Sequence, residues 1–200
     1  MGVAVAQIDV FFSVLSPFTY LAGLRLPEIA ARHGASVSYK PIDIMALFDR
    51  TGGVRPASRH PSRLAYRLQE LRRQSARLGM ALNLKPMFWP TNAAPASYAI
   101  IAVQATGADV GRLAHAFGRA VWAEERNIAE DEVVRDILRA EGFDPAIADR
   151  GMMMAADTYM RNLEEAVERG VFGAPFYAVG EELFWGQDRL DDLDHHLASV

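Results

Sequence analysis

The chain has 200 residues, of which 50% are hydrophobic and 23% are charged, so it can bury a sizeable core in one domain or in one domain with a large insertion. A formal net charge of -4 leaves no excess of Lys and Arg for binding phosphates, and we expect no nucleic-acid partner. The absence of Cys excludes disulfides, thiolate metal sites and Cys nucleophiles, so any reactive thiol must come from a ligand.

Targeting and metal-binding signals are also missing from the sequence. No apolar run reaches the roughly 20 residues of a membrane span, and the N-terminus lacks the basic region and cleavage site of a signal peptide. We therefore expect a cytoplasmic protein with no membrane partner. His195 and His196 lie beside acidic residues, but neighbours in sequence point to different sides of a helix, so we predict a solvated helix face and no metal site.

The first structural signal is an apolar run that changes into a helix at Ser16 and Pro17. Residues 10–12 are bulky and apolar, and apolar residues then recur at helical spacing as far as the stop at residues 33–34. Ser is a favoured N-cap and Pro suits the first helical position. One interpretation is simply a well-capped helix. The other is that the hydroxyl meets an anion at the positive end of the helix.

The next segments predict a second strand and then an arginine-rich region. Residues 36–44 read as a strand that pairs in parallel with the first, which gives a βαβ unit. A polar loop follows at residues 49–61 and leads into a helix. Arginine is frequent there: Arg59, Arg63, Arg67, Arg72, Arg73 and Arg77. Most of them should be solvated, but Arg59 and Arg63 are candidates for a clamp, because a guanidinium binds a carboxylate through two hydrogen bonds.

Residues 87–95, with the sequence MFWPTNAAP, form an aromatic connection too rich in Pro for a helix interior. We interpret this segment as a pocket wall that includes Trp89, with Asn92 as a polar group that orients a ligand. A loop held in place by burial of Phe88 and Trp89 is an equally consistent interpretation. Helices are then predicted in the middle of the chain, at residues 96–104, 111–122, 130–141 and 145–168.

The strand pattern returns near the end of the chain. Residues 170–179 and 183–185 predict a hairpin, and a last helix opens at residues 186–190 with Asp188 in its first turn. A βαβ unit, a helical block and a ββα unit together indicate an α/β protein with a thioredoxin-like fold and a large all-helical insertion. We assign residues 1–45 and 160–200 to the thioredoxin-like domain and residues 46–159 to the helical insertion domain.

Three segments carry a family resemblance. Residues 15–21 (LSPFTYL) resemble the start of 2-hydroxychromene-2-carboxylate isomerases and kappa-class glutathione transferases, two branches of the DsbA-like thioredoxin superfamily. Residues 170–175 (GVFGAP) are similar to the family's segment before its cis-proline. Residues 184–190 (FWGQDRL) are similar to its glutathione-contacting segment. The three segments bracket nearly the whole chain, so the resemblance implies a DsbA-like fold.

The resemblance implies glutathione as the cofactor and gives a role to the start of the first helix. Ser16 stands where redox relatives have the first Cys of their CxxC motif, and in this branch it holds the glutathione sulfur. Its role is that of a hydrogen-bond donor, not of a nucleophile. Pro17 and Phe18 belong to the same cofactor contact.

The far end of the chain receives the rest of the cofactor site from the same resemblance. Pro175 is expected to be the cis-proline, and the backbone of Ala174 to pair with the cysteinyl unit of glutathione. Gln187 and Asp188 are expected to face its γ-glutamyl end. Many relatives carry Asn where this chain has Gly53, so the substrate pocket is less fully specified than the cofactor site.

The implied activity is a glutathione-dependent isomerase of the 2-hydroxychromene-2-carboxylate type, working as a homodimer on an aromatic carboxylate. A double bond conjugated to a ketone can rotate only after a nucleophile adds to its β-carbon, and a thiolate does this reversibly. A kappa-type glutathione transferase is the first alternative, since the same thiolate serves both reactions. A non-catalytic, thioredoxin-like glutathione-binding module is the second. No GxSxG motif surrounds Ser16, which argues against a serine hydrolase.

Overall fold

Both ends of the chain contribute to one four-stranded sheet in the computed structural model, which describes residues 5–199. The strands are β1 Gln7–Phe12, β2 Ser36–Pro41, β3 Phe176–Val179 and β4 Glu182–Trp185, and their order in the sheet is β2-β1-β3-β4. β1 pairs in parallel with β2 and antiparallel with β3, and β3 pairs antiparallel with β4. The predicted βαβ and ββα units are therefore confirmed.

Helices fill the rest of the described chain. They are α1 Pro17–Ala22, α2 Arg25–His33, α3 Ile44–Thr51, α4 Pro61–Leu78, α5 Ala94–Gln104, α6 Gly111–Trp122, α7 Asp131–Ala140, α8 Ile147–Arg150, α9 Met152–Glu168 and α10 Leu190–Leu197. Two one-turn 3-10 helices span Pro56–Ser58 and Gln187–Arg189. Between residues 5 and 199, no helix is both long enough and apolar enough to cross a membrane.

The second half of β1, residues 10–12, is buried on both faces, which explains why it reads as a short apolar run. Ile8, Val10 and Phe12 alternate into a large core that also contains side chains of α1, α5 and α6. Phe11 points the other way, into a smaller core with side chains of α3 and α9. Burying one such side chain stabilises a fold by roughly 1.5–3 kcal/mol, so this strand anchors both layers of helices.

Two predicted helices are each divided by a glycine. Gly23 has φ 62° and ends α1, so the helix predicted from Ser16 to residue 33 is in fact α1 followed by α2. The helix predicted at residues 145–168 is divided at Gly151 into α8 and α9. Gly151 lies against Ala102 of α5, where an added Cβ would clash with the alanine side chain.

α3 differs from the prediction, which ends a strand at residue 44 and has a loop at residues 49–61. Asp43 is the N-cap of α3, and its side chain accepts hydrogen bonds from the N–H groups of Met45 and Ala46 at 2.9 and 3.1 Å. The loop begins only at Gly52, which ends the helix in a left-handed conformation. Both predicted domain boundaries fall inside helices, α3 and α9, and the division into domains stays a prediction.

Candidate active site

Ser16 caps α1 and contacts the opposite end of the chain. Its side-chain oxygen accepts a hydrogen bond from the backbone N–H of Thr19 at 3.2 Å, which satisfies a donor at the helix start. Its hydroxyl donates to the carbonyl oxygen of Ala174 at 3.0 Å, across 158 positions of sequence. The fold therefore brings together two of the segments that the sequence predicted to form one site.

The segment around Pro175 packs against residues 185–186, which precede the last helical turns. The Ala174–Pro175 peptide bond is cis, as the resemblance implied. The carbonyl oxygen of Pro175 accepts a hydrogen bond from the N–H of Gly186 at 3.0 Å. Gly173 lies so close to Trp185 that an added Cβ would clash with the indole ring. The predicted segments 170–175 and 184–190 are thus packed against each other.

Gln187 and Asp188 have different surroundings, although they are adjacent in sequence. Gln187 is only 3% exposed, and Arg25 Nη2 donates to its Oε1 at 2.5 Å and to its backbone oxygen at 3.0 Å. Asp188 is exposed, with an oxygen 3.4 Å from a guanidinium nitrogen of Arg189. The side-chain oxygen of Gln187 therefore already has a partner, whereas the carboxylate of Asp188 faces solvent. The ligand roles of both residues stay predictions.

The start of α1 can contribute backbone N–H donors, but the helix is too short to have a large dipole. α1 has six residues, and Pro17, at its first position, is buried. Phe18 is half-buried and packs against the large core. Because the dipole effect acts through the first turn, the free N–H groups next to Ser16 matter more than the total length. The cofactor roles of Pro17 and Phe18 remain predictions.

Trp89 connects the aromatic segment to the residue that precedes Ser16. Its indole N–H donates to the carbonyl oxygen of Leu15 at 3.1 Å, and its ring lies 5.7 Å from that of Trp122. The Trp89–Pro90 peptide bond is also cis, which the sequence did not predict. Phe88 is 37% exposed, so Trp89 is the better-buried ring of this loop, which is also held by hydrogen bonds from Met87 to Glu125 and from Thr91 to Asn127. Trp89 thereby forms a fixed wall beside Ser16.

Asn92 is used locally at the start of α5. Its Oδ1 accepts a hydrogen bond from the backbone N–H of Ala94 at 3.0 Å, and the residue is exposed. This contact is an Asx-type turn that leads into the helix. The predicted role of Asn92 in orienting a ligand stays a prediction.

Arginine side chains of the loop before α4 and of α4 itself lie against Phe48 and Trp89. The guanidinium of Arg67 lies over the Trp89 ring, 5.6 Å from its centroid, and that of Arg59 lies 5.5 Å from the centroid of Phe48. Burial lowers the pKa of Arg67, and the charge of Arg59 lowers it further. Burial and then the charge of Arg63 lower the pKa of Arg59. These cations are therefore near neighbours that destabilise one another.

Arg59, Arg63 and Arg67, which we call the arginine cluster, have no acidic partner among residues 5–199, where no ion pair includes any of them. Arg55, in the same loop, is by contrast paired with Asp49. Arg59 and Arg67 are partly buried, whereas Arg63 is exposed. Cations without a counter-charge favour an anionic ligand, most of all where they are partly buried. Sequence reasoning named Arg59 and Arg63 but missed Arg67, although the i, i+4 spacing from Arg63 places both on one helix face.

Comparison with known proteins gives matches over nearly the whole chain. Residues 7–198 match the model of the DSBA-like thioredoxin domain family. The 2-hydroxychromene-2-carboxylate isomerase of Sphingobium xenophagum is 30% identical over 195 residues, which cover 95% of this chain and 97% of that protein. Glutathione S-transferase kappa 1 of Caenorhabditis elegans is 24% identical over 92% of this chain and 87% of that protein.

Solved structures show the same fold. A 2-hydroxychromene-2-carboxylate isomerase superimposes with a TM-score of 0.74 at 24% sequence identity, covering 96% of this chain and 95% of that chain. The match includes both ends of the chain and the helices between them. The predicted α/β fold, with helices inserted between the two halves of the sheet, is confirmed.

Proposed function

The chain belongs to the DSBA-like thioredoxin domain family, and from this membership and the site geometry we propose that it is a glutathione-dependent isomerase of the 2-hydroxychromene-2-carboxylate type. The isomerase activity is supported by the relative that is 30% identical over almost its whole length. One observation carries the proposal: the hydroxyl of Ser16 donates to the carbonyl oxygen of Ala174, immediately before Pro175. It is supported by Trp89, whose indole N–H donates to Leu15 and whose ring lies against the guanidinium of Arg67.

A tripeptide thiol fits the groups that the chain presents. We call Ser16, Ala174 and Pro175 the thiol site. Ser16 offers a hydroxyl, and Ala174 offers backbone groups before the cis bond. The exposed carboxylate of Asp188 would pair with the ammonium of the γ-glutamyl end. The chain itself has no Cys, so the sulfur must come from such a ligand.

Ser16 has a single hydroxyl proton, and this limits which contacts it can make at once. That proton is donated to the Ala174 carbonyl, while the oxygen accepts from Thr19. To hold a thiolate, the O–H must rotate toward the sulfur, and the contact with Thr19 can remain. The same rotation frees the Ala174 carbonyl to accept an N–H from the tripeptide backbone. One small movement therefore prepares both ligand contacts.

The new hydrogen bond of Ser16 favours the ionised thiol. A free thiol has a pKa near 8.5, and donation to the charged form lowers that pKa. When bound, glutathione would supply a thiolate that adds reversibly to the carbon β to the substrate carbonyl, so that the double bond becomes single, rotates and re-forms as the thiolate leaves. Arg59 and Arg67 would hold the substrate carboxylate, and Trp89 would give its aromatic ring a flat wall.

The proposal is tested with catalytic glutathione. Ring-opened and cyclic chromene carboxylates are followed by absorbance with a small amount of glutathione, and we expect many turnovers without loss of thiol. The contrary result is interconversion that is absent with glutathione or unaffected by omitting it. A thermal shift with glutathione but no turnover of any substrate would favour a non-catalytic binding module.

A kappa-type transferase is the second candidate, and the relative from C. elegans supports it. The two activities differ in whether the thiol is returned or consumed. Stoichiometric loss of glutathione with an aryl halide, and no interconversion of the chromene carboxylate, would select the transferase. The homodimer and the cytoplasmic location expected from the sequence remain predictions.

A further inference from the structure

A small cavity lies between the start of α1, the loop that contains Pro175, and α6. Its volume is about 40 Å³. Thr19 of α1, Tyr177 of β3 and His115 of α6 line it, together with Pro175. Three parts of the fold that are far apart in sequence therefore line one small space next to the thiol site.

Three of the lining side chains carry buried polar atoms that lack a partner. Within residues 5–199, no hydrogen bond reaches Oγ1 of Thr19, Nδ1 of His115 or the hydroxyl of Tyr177. Tyr177 is only 1% exposed, and its hydroxyl is therefore cut off from bulk water. A buried polar group destabilises a fold unless something pairs with it, and native proteins rarely leave such groups unpaired. Three of them around one cavity indicate a shared partner.

We propose that this cavity is a hydration site in which ordered water bridges Thr19, His115 and Tyr177. One water needs about 10–15 Å³ of such space, so there is room for about two or three. A buried water typically makes 2–4 hydrogen bonds, and the lining supplies that number of groups. The two hydroxyls can donate or accept, and burial lowers the pKa of His115, so its ring is neutral near pH 7 and presents one donor and one acceptor.

The bridging water would connect the two halves of the thiol site. The backbone N–H of Thr19 already donates to Ser16, and Tyr177 follows Pro175 by two positions. Water that binds both side chains and His115 would hold α1 and the cis-proline loop against α6. This inference concerns the protein without any ligand, so it does not depend on the proposed function.

The sign of a stability change tests the proposal. Tyr177→Phe and Thr19→Val each remove one hydroxyl with little change in shape. If water bridges these groups, each variant should lower the melting temperature by about 2–4 °C, because a hydrogen bond is lost. Tyr20→Phe is the positive control. Its hydroxyl donates to the carbonyl oxygen of Ala81 at 2.8 Å, so this variant shows how far the melting temperature falls when one existing hydrogen bond is lost. If the cavity is dry, removing an unpaired hydroxyl should leave the melting temperature unchanged or raise it, and the proposal fails.

Two further measurements complete the test. A double variant should lose less than the sum of the two single losses, because both hydroxyls bind the same water. Strictly additive losses would contradict a shared water. A high-resolution crystal structure of the unmodified protein decides the matter even if the variants do not fold. Water density in contact with at least two of the three atoms supports the hydration site, and an empty cavity overturns it.

Discussion

The thiol site and the arginine cluster are built from different kinds of group. In the thiol site, the contacts of Ser16, Ala174 and Pro175 involve backbone atoms and a single hydroxyl, and the adjoining strands β1 and β3 hold them in place. The arginine cluster consists of long charged side chains on a loop and on α4, most of which is exposed. The thiol site is therefore defined mainly by main-chain geometry, whereas the arginine cluster is defined by the identity of its side chains.

Under the proposed function, this difference would separate the choice of cofactor from the choice of substrate. Backbone contacts persist when single side chains are substituted, so ligand binding at the thiol site should be less sensitive to such substitutions. Side-chain contacts on an exposed helix change with single substitutions. We therefore expect changes in the arginine cluster to alter substrate binding while glutathione binding persists, and changes in the thiol site to alter the chemical step.

The largest effect is expected from removing two cations of the arginine cluster. Arg59→Gln with Arg67→Gln removes two charge-assisted hydrogen bonds, each contributing roughly 1.5–3 kcal/mol, so kcat/KM for the chromene carboxylate should fall more than about 100-fold. The loss should appear mainly in KM, since the carboxylate is held equally before and during the reaction. The matched control is Arg72→Gln with Arg77→Gln, two exposed arginines of α4, the helix that carries Arg67.

Two outcomes would break the assignment of the arginine cluster. A similar loss in the control variant would mean that general positive charge, and not this cluster, attracts the substrate. Weaker glutathione binding with an unchanged KM for the carboxylate would mean that the cluster binds a glutathione carboxylate. Isothermal titration with glutathione, alongside steady-state kinetics, distinguishes these cases.

Ser16→Ala should give the next largest effect, and in kcat more than in binding. Loss of one charge-assisted hydrogen bond to the sulfur is worth roughly 1.5–3 kcal/mol, or about 10- to 100-fold in rate. Glutathione affinity should change little, since the backbone of Ala174 and the carboxylate of Asp188 would still hold the tripeptide. The pH at which bound glutathione ionises, followed by thiolate absorbance, should rise in the variant.

Ser38→Ala, on the edge strand β2, is the control for that substitution. It should leave both turnover and thiolate absorbance unchanged. Full activity in Ser16→Ala would remove the donor role of Ser16, whichever reaction the protein catalyses. Loss of glutathione binding along with activity would instead make Ser16 a binding residue.

The two regions also differ in how far the sequence predicted them. The turn at Ser16 and the strands at both ends follow from local patterns, because an N-cap, a helix-starting Pro and apolar runs act over a few residues. The pairing of these ends and the cis bond before Pro175 came from the family resemblance. The N-cap of α3 at Asp43 is likewise a local signal, since its side chain bonds N–H groups two and three residues ahead.

The remaining features depend on contacts between distant parts of the chain. The position of Arg67 over Trp89 requires α4 to pack beside the loop at residues 86–93, and no local pattern sets that geometry. The burial of Gln187 depends on Arg25, which lies 162 positions earlier. Sequence composition identified arginine as abundant, but only the fold shows which arginines lack an acidic partner.

A smaller effect is expected at the edge of the thiol site, from Asp188→Ala. Glutathione at a hundredfold excess over its Kd should stabilise the unmodified protein by about 2.7 kcal/mol. Loss of one exposed ion pair with the ligand should weaken binding about two- to fivefold, which removes about 0.4–0.9 kcal/mol of this stabilisation. Thermal unfolding with and without glutathione measures the change. Asp191→Ala, in the first turn of α10, is the control and should keep the full shift.

The smallest expected effect is a pH-dependent loss of stability on the thiol-site side of the fold, which the arginine cluster should not share. Burial lowers the pKa of His115 below 6.5, the charge of Arg119 lowers it further, and Glu141 partly opposes this. As the pH falls below about 6.5, the unfolded chain takes up a proton at this residue before the folded chain does, so stability declines until the folded pKa is reached. Protonation of His115, which stacks on Tyr20 of α1, should therefore loosen the side of the fold that carries the thiol site.

Chemical denaturation of the unmodified protein and of His115→Gln, between about pH 5 and pH 7.5, isolates this contribution. The unmodified protein should lose more stability toward the acidic end, because the variant has no imidazole to protonate. Hydrogen bonds from Gln7 and Arg169 lower the pKa of Asp9 despite its burial, so that carboxylate titrates below this range. The arginine cluster stays charged throughout, and KM for the carboxylate substrate should not follow the loss. Parallel stability curves for the two proteins would show that His115 is neither buried nor coupled to the thiol site in the way its contacts indicate.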